Sequence, residues 1–328
     1  MADEHGVRLP DALREDWPPR LSAADEKGWF RFQRLYDLAR SVLRTEQNVR
    51  RLVLEAAQDD GAEGSQWLEI QVDPSGYGSR FGGITAFTDL VLDAAHCAST
   101  QTGVGVTVVI AANRTRHPLD ARTLARLAAQ YAGRGVVGFG LSNDERRGVI
   151  QEFAGAFAIA NRAGLPSVPH AGELLGPSSV RACLDELGAR RLGHGIRATE
   201  DVALLDRIVA DGVTLEICPA SNVGLGVYPT AANVPLRTAV AAGARVALGA
   251  DDPLLFGSRL LDQYETARDI HGFSDEELAD LARSSVEGSS APSNVRKHLL
   301  DGITNWLATS PVDDFTVVTG NSRSESAQ

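Results

Sequence analysis

The sequence predicts an α/β fold built on a parallel sheet, on three observations. Short apolar runs of strand length alternate with longer amphipathic stretches of helical period. Helical patterns at 119–133 and 146–164 each end on a glycine, the usual helix C-terminal signal. The repeat of about 25–40 residues suits right-handed βαβ units. Periodicity alone does not choose between a closed barrel and a doubly wound sheet.

Taken in order, a long amphipathic stretch from Trp29 to Ala57 places Phe30, Phe32, Leu35, Leu38, Val42 and Leu43 at helical spacing. Seven strand candidates follow: WLEIQV (67–72), VTVVIAA (106–112), VVGFGL (136–141), PSVPH (166–170), RRLGHG (190–195), VTLEICP (213–219) and ARVALGA (244–250). The segment 275–307 predicts closing helices. No repeat or linker divides the chain, so one domain is expected over 1–309, with a loose, disordered tail at 310–328.

Composition excludes several classes. A net charge of −11 leaves no basic face for nucleic acid or anionic lipid. Three scattered cysteines, Cys97, Cys183 and Cys218, form no disulfide framework or CxxC pair, as expected in a reducing compartment. The charged, proline-containing start is no signal peptide, and no apolar run approaches the roughly 18 residues of a membrane span. A cytoplasmic location is expected.

Three polar clusters stand where strands end: His170-Ala171-Gly172-Glu173, Gly193-His194-Gly195 and Asp251-Asp252-Pro253. In a parallel barrel these ends open on one face, so the groups converge. A histidine and an aspartate suit zinc. Glu173 is placed to serve as a general acid, and His194, flanked by glycines, to shuttle a proton near neutral pH. Taken singly, HAGE is a weak signal and a solvated loop accepts two aspartates; the ordered placement at strand ends makes the functional reading. His96, His117, His271 and His298 read as bland, the last two within the closing helices, and Cys218 reads as a small core residue. Gly138 and Gly140 lack the third glycine and acidic follow-up of a dinucleotide site, which weakens the doubly wound alternative.

The strings HAGE (170–173), RLGHG (191–195), EICPASN (216–222) and GADDPLLFG (249–257) carry a resemblance to the adenosine deaminase family of the amidohydrolase superfamily, spanning Val7 to Leu307. The resemblance implies a (β/α)8 TIM barrel with one zinc per chain at its C-terminal face. It implies His170 and Asp251 as zinc ligands and Glu173 as the group that protonates purine N1. It further implies that His194 orients the attacking water and takes its proton, and that Asp252 binds purine N7. Asn143 stands where the family has a glycine whose backbone N–H meets the purine. The chain has no H-x-E…P-C-x-x-C pattern, so the cysteine-ligated deaminases are a different chemistry.

The departure from the family is the His-x-His of its first strand, which occurs nowhere in these 328 residues; His5 stands alone. The sequence therefore predicts a barrel with its first strand missing, weak zinc binding and low activity in the chain as written. Two explanations are open: a start assigned downstream of the true one, which the retained cluster favours, or a decayed copy that only binds purine or a partner. The open seam would promote association, and the oligomeric state is not read from sequence. The expected substrate is a small adenine compound: adenosine, deoxyadenosine, adenine or aminofutalosine. EICPASNVGLG differs from the usual threonine-containing loop, which counts against plain adenosine. A phosphate-site barrel enzyme ranks last, having no glycine-rich phosphate loop.

Overall fold

The structure is a computed structural model that describes residues 1–13 and 26–309. The expected tail at 310–328 lies outside the described residues. Two helices, α1 (Glu26–Arg40) and α2 (Glu46–Ala62), precede the sheet. The chain then alternates strand and helix through β1 (Trp67–Val72), α3 (Ile84–Thr102), β2 (Gly105–Asn113), α4 (Pro118–Gln130), β3 (Val136–Ser142) and α5 (Ile150–Arg162). It continues with β4 (Ser167–Ala171), α6 (Pro177–Leu187), β5 (Arg191–His194), α7 (Val202–Ala210), β6 (Thr214–Ile217), α8 (Pro219–Gly224), α9 (Leu236–Ala241) and β7 (Arg245–Leu248). Four helices close the described chain: α10 (Pro253–Phe256), α11 (Leu260–Glu265), α12 (Asp275–Gly288) and α13 (Ser293–Ala308).

All seven strands are parallel and their spatial order is their sequence order, β1 to β7. Two side-chain contacts prove that this sheet curls. Arg191 on β5 pairs with Glu69 on β1 at 2.6 Å, and Gln71 Nε2 on β1 lies 3.1 Å from His170 Nε2 on β4. In a flat sheet those strands would stand about 19 Å and about 14 Å apart. The fold is thus a TIM-barrel-like half-barrel, and the doubly wound alternative is set aside. Among the described residues no strand pairs with the outer edges of β1 and β7, so the eighth strand of a full barrel is not among them.

Strand β2 is buried almost throughout, as a parallel strand covered on both faces should be. Val108, Ile110, Phe139 and Leu141 meet Leu124, Ala125, Phe153 and Phe157 in the layer between sheet and helices, with Phe139 and Phe157 edge to face at 5.0 Å. No helix among the described residues is long and apolar enough to cross a membrane.

Three expectations are corrected. The Trp29–Ala57 stretch is two helices, because Thr45 and Asn48 form a reciprocal cap that starts α2 afresh. The helix expected from 146 begins at Ile150: Asp144 holds Arg146 in a turn, and Gly148 adopts φ 74°. His271 lies in the turn after a π-type segment, Thr266–Ile270, rather than in a closing helix. His117 has a structural use: its Nδ1 accepts the Leu119 N–H and caps α4.

Candidate active site

Each strand end that the sequence singled out delivers its residue to one mouth. His170 leaves β4 and turns at Gly172, whose φ of 71° a side chain would strain; a Cβ there would come within 2.8 Å of Val180. Gly193 on β5 is a glycine for a different reason. A Cβ at that position would lie 2.4 Å from the His170 ring, so the missing side chain is the space that the imidazole fills. The His170 and His194 rings meet edge to face at 5.0 Å. His194 Nε2 stands 3.4 Å from Glu173 Oε1 and 4.0 Å from Asp251 Oδ2, and Ser221 donates to that same aspartate oxygen at 2.7 Å.

Asn143, His170, Glu173, His194, Asp251 and Asp252 all line a single cavity of about 1900 Å³. Among the described residues three non-glycines adopt positive φ: Asn143 at 78°, His194 at 67° and Asp251 at 56°. All three belong to that group of six. Such backbones cost on the order of 1–3 kcal/mol each and concentrate where a side chain must be aimed.

The electrostatics divide the labour. Burial, then the neighbouring His194 and Arg114, holds the His170 imidazole well below its ordinary value, so it is neutral and offers a lone pair. Glu173 is pushed up to about 7, chiefly by burial; His194 opposes the rise, while Asp251 and Glu145 add to it. In His194 burial acts downward, but the facing Glu173 and Asp251 outweigh it and the net shift is upward. Burial, then Asp251 and Glu173, pushes Asp252 well up. A carboxyl that holds its proton near neutrality, beside a histidine with raised affinity, has the chemistry to act as a proton-transfer pair.

The donor chemistry fits a divalent metal in part. A neutral imidazole and a carboxylate face one cavity, and the Gln71 amide lies 3.1 Å from His170 Nε2. His170 and Asp251 are two ligands, where a catalytic zinc has at least three. The one set of three donors that the described residues bring within 4.8 Å of one another is His170, Glu173 and His194. Glu173 and His194 of that set also face each other at 3.4 Å, a spacing that suits proton transfer as well as ligation.

Several neighbours were not singled out by the sequence reading. Helix α1 covers the mouth: Phe32 stacks on Phe256 at 5.9 Å, and Gln33 Oε1 accepts from Asn143 Nδ2 at 3.3 Å. Arg114 is buried, and one guanidinium nitrogen donates to the His170 carbonyl. Glu145 accepts the N–H groups of Gly172, Glu173, Leu174 and Leu175 at 2.7, 3.0, 2.7 and 2.8 Å. Of these, only Glu145, a carboxylate in the loop that follows β3, carried any sequence signal.

A half-barrel with polar strand ends around a buried acid–histidine pair has the layout of a barrel enzyme whose site opens at the C-terminal ends of its strands. The family model described as Adenosine deaminase matches residues 1–306. A Streptomyces virginiae protein provisionally named adenosine/adenine deaminase is 62% identical over 94% of this chain and 91% of its own length. An adenine deaminase of Rhizobium leguminosarum is 36% identical over 82% of this chain and 84% of its own. The crystal structure of an adenine deaminase from Arthrobacter aurescens superposes with a TM-score of 0.84 at 31% identity, covering 94% of this chain and 93% of that one. The chain belongs to the adenosine deaminase family of the amidohydrolase superfamily, and it is a hydrolytic purine deaminase.

Proposed function

We propose that this chain, as one catalytic domain over residues 1–309, removes the 6-amino group of an adenine compound by zinc-dependent hydrolysis, giving the 6-oxopurine and ammonia. The observation that carries the reading is the Glu173–His194 pair, 3.4 Å apart, buried and set beside Asp251. Free adenine ranks ahead of adenosine, because the Rhizobium and Arthrobacter relatives are named for adenine alone.

His170 and Asp251 would hold the zinc. When bound, the metal lowers the pKa of water toward 7 and supplies a nucleophile without a strong base. The chain's own groups do the rest. His194 orients the attacking water and accepts its proton, which its raised affinity favours. Glu173, protonated below about 7, gives its proton to ring N1 as C6 is attacked, so charge does not build on the purine. Asp252, its carboxyl pushed well up, donates a hydrogen bond to N7. The backbone N–H of Asn143 meets the purine edge. Helix α1 closes over the mouth and limits water.

The test is zinc content and ammonia release with adenine, adenosine, deoxyadenosine and aminofutalosine. The chain as written and one extended through the upstream in-frame codons are assayed side by side. Turnover with one equivalent of zinc supports the reading; if the extended form alone achieves it, the start was displaced. Absence of both zinc and turnover in both proteins would transfer the assignment to a non-catalytic purine- or partner-binding role.

A further inference from the structure

We propose that Glu145 is a positioning residue for Glu173, its carboxylate clamping the turn that carries that acid opposite His194. The proposal rests on the functional reading above only in assigning Glu173 a chemical task. Glu145 follows β3 in the same loop as Asn143 and is buried, 3% exposed. Its Oε1 accepts the Gly172 N–H, and its Oε2 accepts those of Glu173, Leu174 and Leu175. Four consecutive amides thus converge on two oxygens from a neighbouring strand end.

Those amides have no strand or long helix to bond. Strand β4 ends at Ala171 and α6 begins only at Pro177. Gly172, at φ 71°, swings the chain out of the strand, and a free turn of this kind would sample many directions. The clamp removes that freedom at both ends, since Arg114 holds the His170 carbonyl while Glu145 holds the amides beyond it. Glu173 is itself one of the four clamped residues, so its Cα is fixed relative to β3 as well as to β4. The balance of charge is consistent with this task. Asp144, the adjacent acid, is paired with Arg146 and Arg147, whereas the Glu145 oxygens face backbone N–H groups.

Glutamine at this position keeps the size but turns one acceptor into an NH2 donor, which must face at least one N–H. Aspartate keeps both acceptors on a shorter arm. The reacting groups tolerate little displacement, about 1 Å being worth about 100-fold in rate. Glu145→Gln is therefore expected to lower kcat on adenine by about 10- to 100-fold with KM within about 3-fold, and Glu145→Asp to recover about 5-fold or more of that loss. Amide hydrogen exchange on residues 172–175, read by mass spectrometry with an unfolding curve for each variant, accompanies the kinetics. Faster exchange confined to this turn is expected in Glu145→Gln.

Exchange that quickens at 172–175 with kcat unchanged would overturn the proposal, since the clamp would then be idle. Unfolding of both variants would overturn it too, making Glu145 a folding residue. If the wild-type protein turns over no adenine compound, the functional reading fails, and exchange alone judges the clamp: unaltered protection in Glu145→Gln refutes it.

Discussion

Replacing Arg191 with methionine is expected to lower the unfolding midpoint by about 5 °C. Arg191 reaches across the barrel interior to Glu69 on β1 at 2.6 Å and to Glu216 on β6 at 2.6 Å, with side-chain exposures of 11%, 10% and 27% in that order. The two carboxylates hold its guanidinium above the usual arginine value against the opposing effect of burial. Methionine fills a similar volume but strands both acids. Glu69 retains donors from Trp67 Nε1 and Ser290 N, so its loss is one charged hydrogen bond, about 2 kcal/mol. Glu216 is more open to water, and its share is discounted to about 1 kcal/mol. The sum of about 3 kcal/mol, at about 1.6 °C per kcal/mol for a domain of about 300 residues, gives the shift. Scanning calorimetry at pH 7 measures it. The deficit should shrink near about pH 4.5, where stranded carboxyls take up protons. A midpoint within about 2 °C of wild type at pH 7 would refute the claim that this bridge holds the curl.

Turnover should follow a bell-shaped pH curve, falling on the alkaline side as Glu173 loses the proton it must donate, near 7, and on the acid side as His194 becomes charged; the apparent values belong to the pair. Glu173→Gln should lower kcat/KM by about 10²- to 10⁴-fold. Gly193→Ala should displace the His170 ring and cut zinc content and turnover together while the protein stays folded, which metal analysis and circular dichroism would check. Asp60, pushed up to about 6 by burial and then by Glu63, binds its proton more tightly folded than unfolded. Its stabilising contribution is therefore complete below about pH 4 and lost as pH rises through 6. Asp60→Asn should accordingly raise stability at pH 7 by on the order of 1 kcal/mol, allowing for its partial exposure, and leave it unchanged near about pH 3.5 in urea titrations.

Strand positions were legible in the sequence because a buried parallel strand is a short, uninterrupted apolar run. Val136–Ser142 and Arg245–Leu248 fall where VVGFGL and ARVALGA stand. Five of the six candidate residues that line the cavity stood out as polar groups close after such runs, which have few structural uses; Asn143 was named only through the family resemblance. The break between α1 and α2 was not, since Thr45 and Asn48 sit inside an apolar periodicity and the shorter asparagine replaces the glutamate or glutamine usual in such a cap. Contacts across the barrel were beyond any local pattern: Gln71 with His170 spans 99 residues, and Gln33 with Asn143 spans 110. The roles of Glu145 and Arg114 were hidden for the same reason, their partners being backbone atoms at the end of β4 and in the turn beyond it.

Because spatial and sequence order coincide across the sheet, every strand can find its neighbour by closing a loop of about 20–40 residues, and assembly can begin at any adjacent pair. The Arg191–Glu69 bridge closes a span of 122 residues, at about 1 kcal/mol more loop entropy than one strand pairing. Zipping the sheet and rolling it are therefore separable events. Arg191 variants should fold at nearly the wild-type rate and unfold faster, the signature of a contact that forms after the barrier.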